Sequence, residues 1–223
     1  MELETTHFIW LNPPLPTWAK DNIASFRRHN GDCLILHETP KLLLPRYRDL
    51  YEMAKDLRTK SDLLRFSILE TMGGVYFDCD WFHYSPMPLQ DMNGKIAYYE
   101  AVKGIPCIAA LASAPGAPGW QTVAKHLRKF TNALPCICTR AFQDAVRERP
   151  EYFCQLNGRF GTGPKKDFYL YCKAHNLTPH EHNIPDVPTD LVAVHFSMNG
   201  ERQVDLTVKE KNIDIFMDWA ESE

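Results

Sequence analysis

The sequence predicts an α/β fold: one Rossmann-like domain over residues 1–223, with a mixed, mostly parallel sheet flanked by helices. Three observations predict it. Short apolar runs of strand length alternate with stretches of helical periodicity through the first half of the chain. Asn-Gly, Gly-Gly and Pro-rich stops punctuate these runs where such elements end. The 223 residues are 44% hydrophobic and 24% charged, which suits a domain able to bury a sizeable core without disulfide or metal staples.

The elements follow in order. Residues 7–11 (HFIWL), stopped by Asn12-Pro13-Pro14, predict a buried strand. Residues 17–29 carry helical spacing with Trp18, Ile23 and Phe26 inward, ended by Asn30-Gly31. Residues 33–36 form a second apolar run, and the strand, helix, strand order calls for parallel pairing. A helix is expected over 46–58. Ser61 fits the N-cap of another, with Asp62 in its first turn and Leu64, Ile68 and Met72 on one face. Gly73-Gly74 ends that helix, and residues 75–77 form a short buried strand closing on Asp78-Cys79-Asp80. Strands over 95–100 and 105–111, a Pro/Gly loop over 113–119, and helices over 120–131 and 139–149 come next. Residues 161–164 read as a loop before a helix reaching Ala174. A late strand spans 191–196, and an amphipathic helix is expected from Val208.

Several function classes fall away. A net charge of -3 argues against nucleic acid as a partner. Seven scattered cysteines with no CxxC pair predict reduced thiols and a cytoplasmic protein. The acidic start lacks a basic, then apolar, leader, and no run of about 18 apolar residues predicts a transmembrane segment. His180-Glu181-His182 with Cys136 and Cys138 lacks the spacing of a zinc site.

The chemistry concentrates at Asp78 and Asp80. On an extended chain both carboxylates point to one side, roughly 6–7 Å apart. They sit at the carboxyl end of a buried strand, where open α/β sheets bind ligands. Two such acids side by side call for a hard divalent cation, Mg²⁺ or Mn²⁺, with water and phosphates completing its shell. Solvated surface acids are the plainer reading of the same pattern.

Residues 60–80 narrow the choice. Ser61-Asp62, Arg65, Leu69, Gly73-Gly74, Tyr76, Asp78 and Asp80 reproduce the order S-D-x-x-R-x-x-x-L, then G-G-hydrophobic-Y-x-D-x-D. This resembles the DXD sugar-nucleotide-binding region of GT-A-fold glycosyltransferases. The nearest group is glycosyltransferase family 32, with the mannosyltransferases and clostridial-toxin glucosyltransferases. His7-Phe8-Ile9-Trp10 is similar to that group's first strand. Residues 1–100 then imply the nucleotide-sugar half, and 101–223 the acceptor-side half with a C-terminal helix.

The resemblance implies a metal-dependent hexosyltransferase using Mn²⁺ or Mg²⁺ and a UDP- or GDP-sugar, with a glycan, lipid or protein acceptor. Asp80 is implied as a metal ligand, and Asp78 as a ligand or a contact to ribose or sugar. Asp62 would accept from sugar hydroxyls, and Arg65 would reach sugar or diphosphate. Trp10 would stack on the nucleobase beside the Ile9 backbone. His195, after the late strand, is a candidate third metal ligand. Each has a plainer alternative: Asp62 as a helix cap, Arg65 as an exposed helix cation, Trp10, Tyr76 and His195 as core. The 113–119 and 161–164 loops are candidate lids. Glu100 and Asp167 fit a general base only by residue type. Two rival functions remain: a nucleotide-sugar-binding protein without catalysis, and a haloacid-dehalogenase-type phosphatase with Asp78 as nucleophile.

Overall fold

The computed structural model describes residues 5–83, 85–87, 93–102, 104–130, 136–156, 159–162 and 191–195. β1 (Thr6–Ile9) pairs in parallel with β2 (Leu34–His37), register Thr6 to Leu34 through Ile9 to His37. Helix α1 (Thr17–Asn30) crosses between them and ends at Gly31, whose φ of 75° is a conformation glycine adopts freely. Helices α2 (Pro45–Met53) and α3 (Leu57–Met72) lead to β3 (Gly74–Phe77), parallel to β1 on its other side. β4 (Trp81–His83) leaves the sheet. β5 (Ile96–Val102) and β6 (Ile105–Ser113) form an antiparallel pair, with β6 antiparallel to β3 as well. Helices α4 (Gly119–Leu127) and α5 (Ile137–Glu148) precede β7 (Phe153–Gln155), parallel to β5. The six-stranded sheet has the order β2-β1-β3-β6-β5-β7. A three-stranded sheet has the order β4-β9-β8, from β8 (Arg159–Thr162) and β9 (Leu191–His195). The predicted α/β class, with its mixed, mostly parallel sheet and flanking helices, is the observed one.

Alternation along each strand divides the core between the two faces of the large sheet. Ile9, Tyr76, Ile108 and Leu111 face a cluster built with α2–α5, including Leu64, Phe66, Trp120 and Phe142. Phe8, Val75, Phe77 and Ala109 face the other cluster, built with Ile23 and Phe26 of α1, Trp81 of β4 and Ala193 of β9. Strands covered on both sides read as continuous apolar runs, as 74–77 does.

The turn from α3 into β3 needs both glycines. Gly73 has φ 68°, and a Cβ there would lie 2.5 Å from Pro115 Cδ. Gly74 has φ 92°, and its Cβ would fall 2.2 Å from the Thr5 carbonyl oxygen. The fully buried His7 ring fills the remaining space. Its Nε2 lies 3.0 Å from the Gly73 carbonyl, and its Nδ1 lies 3.1 Å from His37 Nε2. A carbonyl only accepts, so His7 carries its proton on Nε2 and takes the His37 Nε2–H on Nδ1.

Several expectations are corrected. The helix predicted over 46–58 is two, broken at Ala54–Asp56. Asp56 Oδ1 accepts from the Thr59 N–H at 2.7 Å and so caps α3. Ser61 and Asp62 therefore lie inside α3, not at its start. Met72 is exposed at the last turn, while Leu64 and Ile68 are buried. Gly161-Thr162 belongs to β8, and the late strand joins the small sheet. The Trp18 side chain, Asp167, Gly163-Pro164, the helix toward Ala174, residues 180–182 and the helix from Val208 lie outside the described residues.

Candidate functional site

β3 ends at Phe77, and the Trp81 N–H donates to the Asp78 carbonyl at 3.3 Å. Asp78-Cys79-Asp80-Trp81 is therefore a β-turn, not the extended chain that the carboxylate spacing assumed. Its first residue is anchored to the sheet: the Asp78 N–H donates to the Ala109 carbonyl of β6 at 2.9 Å. Asp80 is buried, and the Asp78 side chain is 28% exposed. One acid thus sits inside the fold and the other at its surface.

Helix α3 supplies the counter-charge. Asp62 and Arg65 stand three residues apart on its buried face, and Arg65 Nη2 meets Asp62 Oδ1 at 2.8 Å. The same nitrogen meets Asp78 Oδ1 at 2.7 Å. Arg65 Nη1 donates to the Ile108 carbonyl at 2.5 Å. The guanidinium lies over the Tyr76 ring, 4.3 Å from its centroid, and the Tyr76 hydroxyl donates to Asp78 Oδ1 at 2.6 Å. The plainer alternatives for two residues fail here. Arg65 is 3% exposed, not a surface cation, and Asp62 does not cap the helix.

The titration directions follow from this packing. Burial pushes the Asp62 carboxyl up to about 6, with Arg65 opposing the rise. Burial works against the Arg65 charge, but Asp78, Tyr76 and Asp62 outweigh it and hold the guanidinium more firmly protonated than usual. Burial, then Asp78 and Asp80, raise the Cys79 thiol, which stays neutral and donates to the Ile9 carbonyl at 3.4 Å.

The carboxylates of Asp62, Asp78 and Asp80 and the guanidinium of Arg65 come together in this region. Hard oxygen donors of this kind suit a divalent cation that takes its other ligands from phosphate and water. Among the described residues, no three His, Cys, Asp or Glu side chains come together as a metal-holding group. Arg65 Nε is buried with no hydrogen-bond partner among the described residues, a donor left over for an oxygen-rich ligand.

The remaining candidates are placed as follows. Ile9 is buried at the end of β1, its carbonyl engaged by Cys79. Trp10 is half-buried one residue on. Its backbone N–H donates to the His37 carbonyl at 2.9 Å and its indole N–H to the Asn12 carbonyl at 2.7 Å. His195 ends β9 in register opposite Trp81, one residue beyond Asp80. Glu100 is spent locally, accepting from the Gly104 N–H at 3.1 Å. The sequence reading missed Asn22, whose buried amide donates to the Cys79 carbonyl at 2.9 Å. It also missed the Ile108 and Ala109 carbonyls. Neither bears a recognisable spacing to the acidic motif, and only the folded chain brings them there.

The family model described as glycosyltransferase sugar-binding region containing DXD motif matches residues 18–99. That span holds Asp62, Arg65, Asp78 and Asp80 and leaves out Ile9, Trp10 and His195. Among solved structures, the chain is similar to the PaToxG glycosyltransferase. The TM-score is 0.55 at 15% identity, covering 84% of this chain and 80% of that one. It also aligns with a glycosyltransferase involved in glycosylation of the major capsid of PBCV-1, with TM-score 0.45, 14% identity, and 88% and 95% of the two chains covered. No curated protein matches the chain.

Proposed function

We propose that this chain is a divalent-metal-dependent glycosyltransferase that moves a hexosyl group from a UDP- or GDP-sugar to a hydroxyl of a glycan, lipid or protein acceptor. The carrying observation is the grouping of acids on one turn and one helix face. Asp62 and Asp78 share one guanidinium, and Asp80 follows on the same turn, inside the span that matches the sugar-binding region.

The residues divide the work by position. Asp80, with Asp78 at the surface side of the turn and His195 across from Trp81, would hold Mn²⁺ or Mg²⁺. That ion supplies Lewis-acid stabilisation of the charge gathering on the departing diphosphate. Arg65 adds a fixed positive charge beneath the turn, and its unused Nε–H is a further donor. Asp62, held by Arg65, would orient the sugar through its hydroxyls. Positioning of that kind contributes about 7–11 kcal/mol in favourable cases. Ile9 and Trp10 would frame the nucleobase. Residues 1–100 would then serve the nucleotide sugar and 101–223 the acceptor, within one domain. No described helix is long and apolar enough to cross a membrane.

The phosphatase reading is disfavoured by the bonds already on its nucleophile. Asp78 Oδ1 is engaged by Arg65 and by the Tyr76 hydroxyl. The test is nucleotide diphosphate release with Mn²⁺ and a panel of UDP- and GDP-sugars. Metal-dependent release that is lost in Asp80→Asn is expected. Binding of the sugar nucleotide without release under any acceptor would mean a binding protein. Phosphate release from phosphomonoesters, lost in Asp78→Asn, would mean a phosphatase.

A further inference from the structure

Helix α1 carries three buried polar side chains on its inner face: Asn22, Ser25 and Asn30. Each bonds to the backbone of the segment that begins with the acidic turn. The Asn22 Nδ2–H donates to the Cys79 carbonyl at 2.9 Å. The Ser25 hydroxyl accepts from the His83 N–H at 2.9 Å. Asn30 Oδ1 accepts from the Met87 N–H at 2.7 Å. Side chains of α1 thus satisfy backbone groups that a turn and a short strand leave without sheet partners.

Asn22 differs from the other two in what it grips. The Cys79 carbonyl belongs to the peptide unit that joins Cys79 to Asp80. A carbonyl only accepts, so the Asn22 amide must face it with nitrogen. The Cys79 side chain is tied on the other flank, its thiol donating to the Ile9 carbonyl at 3.4 Å. The residue between the two acids is therefore held from α1 through its backbone and from the end of β1 through its sulfur. Rotating the 79–80 peptide would break the Asn22 bond and strand a buried carbonyl. With the peptide fixed, the Asp80 Cα is fixed too, and this narrows the directions open to its carboxylate.

We propose that Asn22 is a positioning residue for the acidic turn: its amide sets the Cys79–Asp80 peptide plane and so presents Asp80 to a divalent cation. This rests on the metal-binding reading of Asp80. Groups that orient metal ligands from outside the coordination shell typically change metal affinity by roughly 10–100-fold when removed.

The experiment is Mn²⁺ titration of the full chain by calorimetry, with the metal alone and with UDP or GDP present, alongside thermal unfolding. Asn22→Leu keeps the branched side-chain outline and removes the amide. Its Mn²⁺ dissociation constant is expected to rise roughly 10–100-fold. Asn22→Ser, whose hydroxyl is too short to reach the carbonyl, takes its place if the leucine variant does not fold. Ser25→Ala and Asn30→Ala remove the neighbouring bonds of the same helix. They are expected to lower the unfolding midpoint and leave Mn²⁺ affinity unchanged. Wild-type affinity in the Asn22 variant, with binding lost in Asp80→Asn, overturns the proposal and leaves the metal site standing. Equal weakening in all three α1 variants also overturns it, because the role is then general support of the segment. Undiminished binding in Asp80→Asn removes the metal reading itself and the proposal with it.

Discussion

Arg65→Met isolates what the buried guanidinium contributes. The side chain is 3% exposed and binds Asp62 at 2.8 Å, Asp78 at 2.7 Å and the Ile108 carbonyl at 2.5 Å. Methionine matches arginine closely in helix propensity and fills the space of its stem, so the change removes charge and hydrogen bonds more than packing. Asp62 then stays buried without its main counter-charge. Removing one partner of a buried pair costs about 3–5 kcal/mol. Each kcal/mol corresponds to roughly 2–4 °C for a chain of this size, so the midpoint should fall by roughly 6–20 °C. The deficit should also depend on pH. Asp62 already titrates near 6, well above the ordinary carboxylate value of 3.8. Without Arg65 it rises further, and the folded state then holds a proton that the unfolded chain has released. That penalty is present above the unfolded pKa and shrinks as pH falls toward 4, so the variant should close part of its gap on acidification. Urea unfolding at several pH values measures both effects. A variant within about 1 kcal/mol of wild type at pH 7, or a gap that widens with acid, would refute the reasoning.

Two further perturbations test the β1 and α3–β3 junction. Burial lowers the His7 pKa from 6.5 to about 4, so the folded ring is neutral when the unfolded one has taken a proton. Stability that is complete above pH 6.5 should be lost as pH falls, by roughly 3 kcal/mol near pH 4. His7→Gln should flatten this acid limb in stability measured against pH, and an unchanged slope would show that the loss arises elsewhere. Gly74→Ala would place a methyl carbon 2.2 Å from the Thr5 carbonyl oxygen at φ 92°. A loss of roughly 3 kcal/mol or more in chemical unfolding is expected, and a variant of near-native stability would mean that β1 can shift to make room.

Much of this fold was legible because its strands are short, apolar and sharply stopped. The Gly73-Gly74 turn and the buried 75–77 run were evident from residue type, and the structure adds the reason: two positive-φ positions with backbone and ring atoms against them. The helix break at Ala54–Asp56 was missed because Asp56 precedes an unbroken periodic stretch, and its capping bond to Thr59 shows only in three dimensions. The motif identified Asp62, Arg65, Asp78 and Asp80 as one group, but not the arrangement by which Arg65 bridges two of them over the Tyr76 ring. The assumption of extended backbone at Asp78–Asp80 failed because strand periodicity stops where the strand does, and the Asp78–Trp81 bond turns the chain at once. Asn22 was invisible for a simple reason: asparagine in a helix looks like a solvent-facing residue until a backbone carbonyl is found opposite it.

The grip of β6 on the acidic turn bears on how the molecule can be divided. The Ile108 carbonyl takes Arg65, and the Ala109 carbonyl takes both the Asp78 N–H and the Trp81 indole N–H at 3.0 Å. All three donors lie before residue 100, and both acceptors after it. A fragment trimmed to the motif-bearing stretch would expose these groups to water and lose the wall that shapes them. Conversely, sequence changes in the β5–β6 hairpin can shift the acidic turn and the Arg65 guanidinium without touching any residue of the motif.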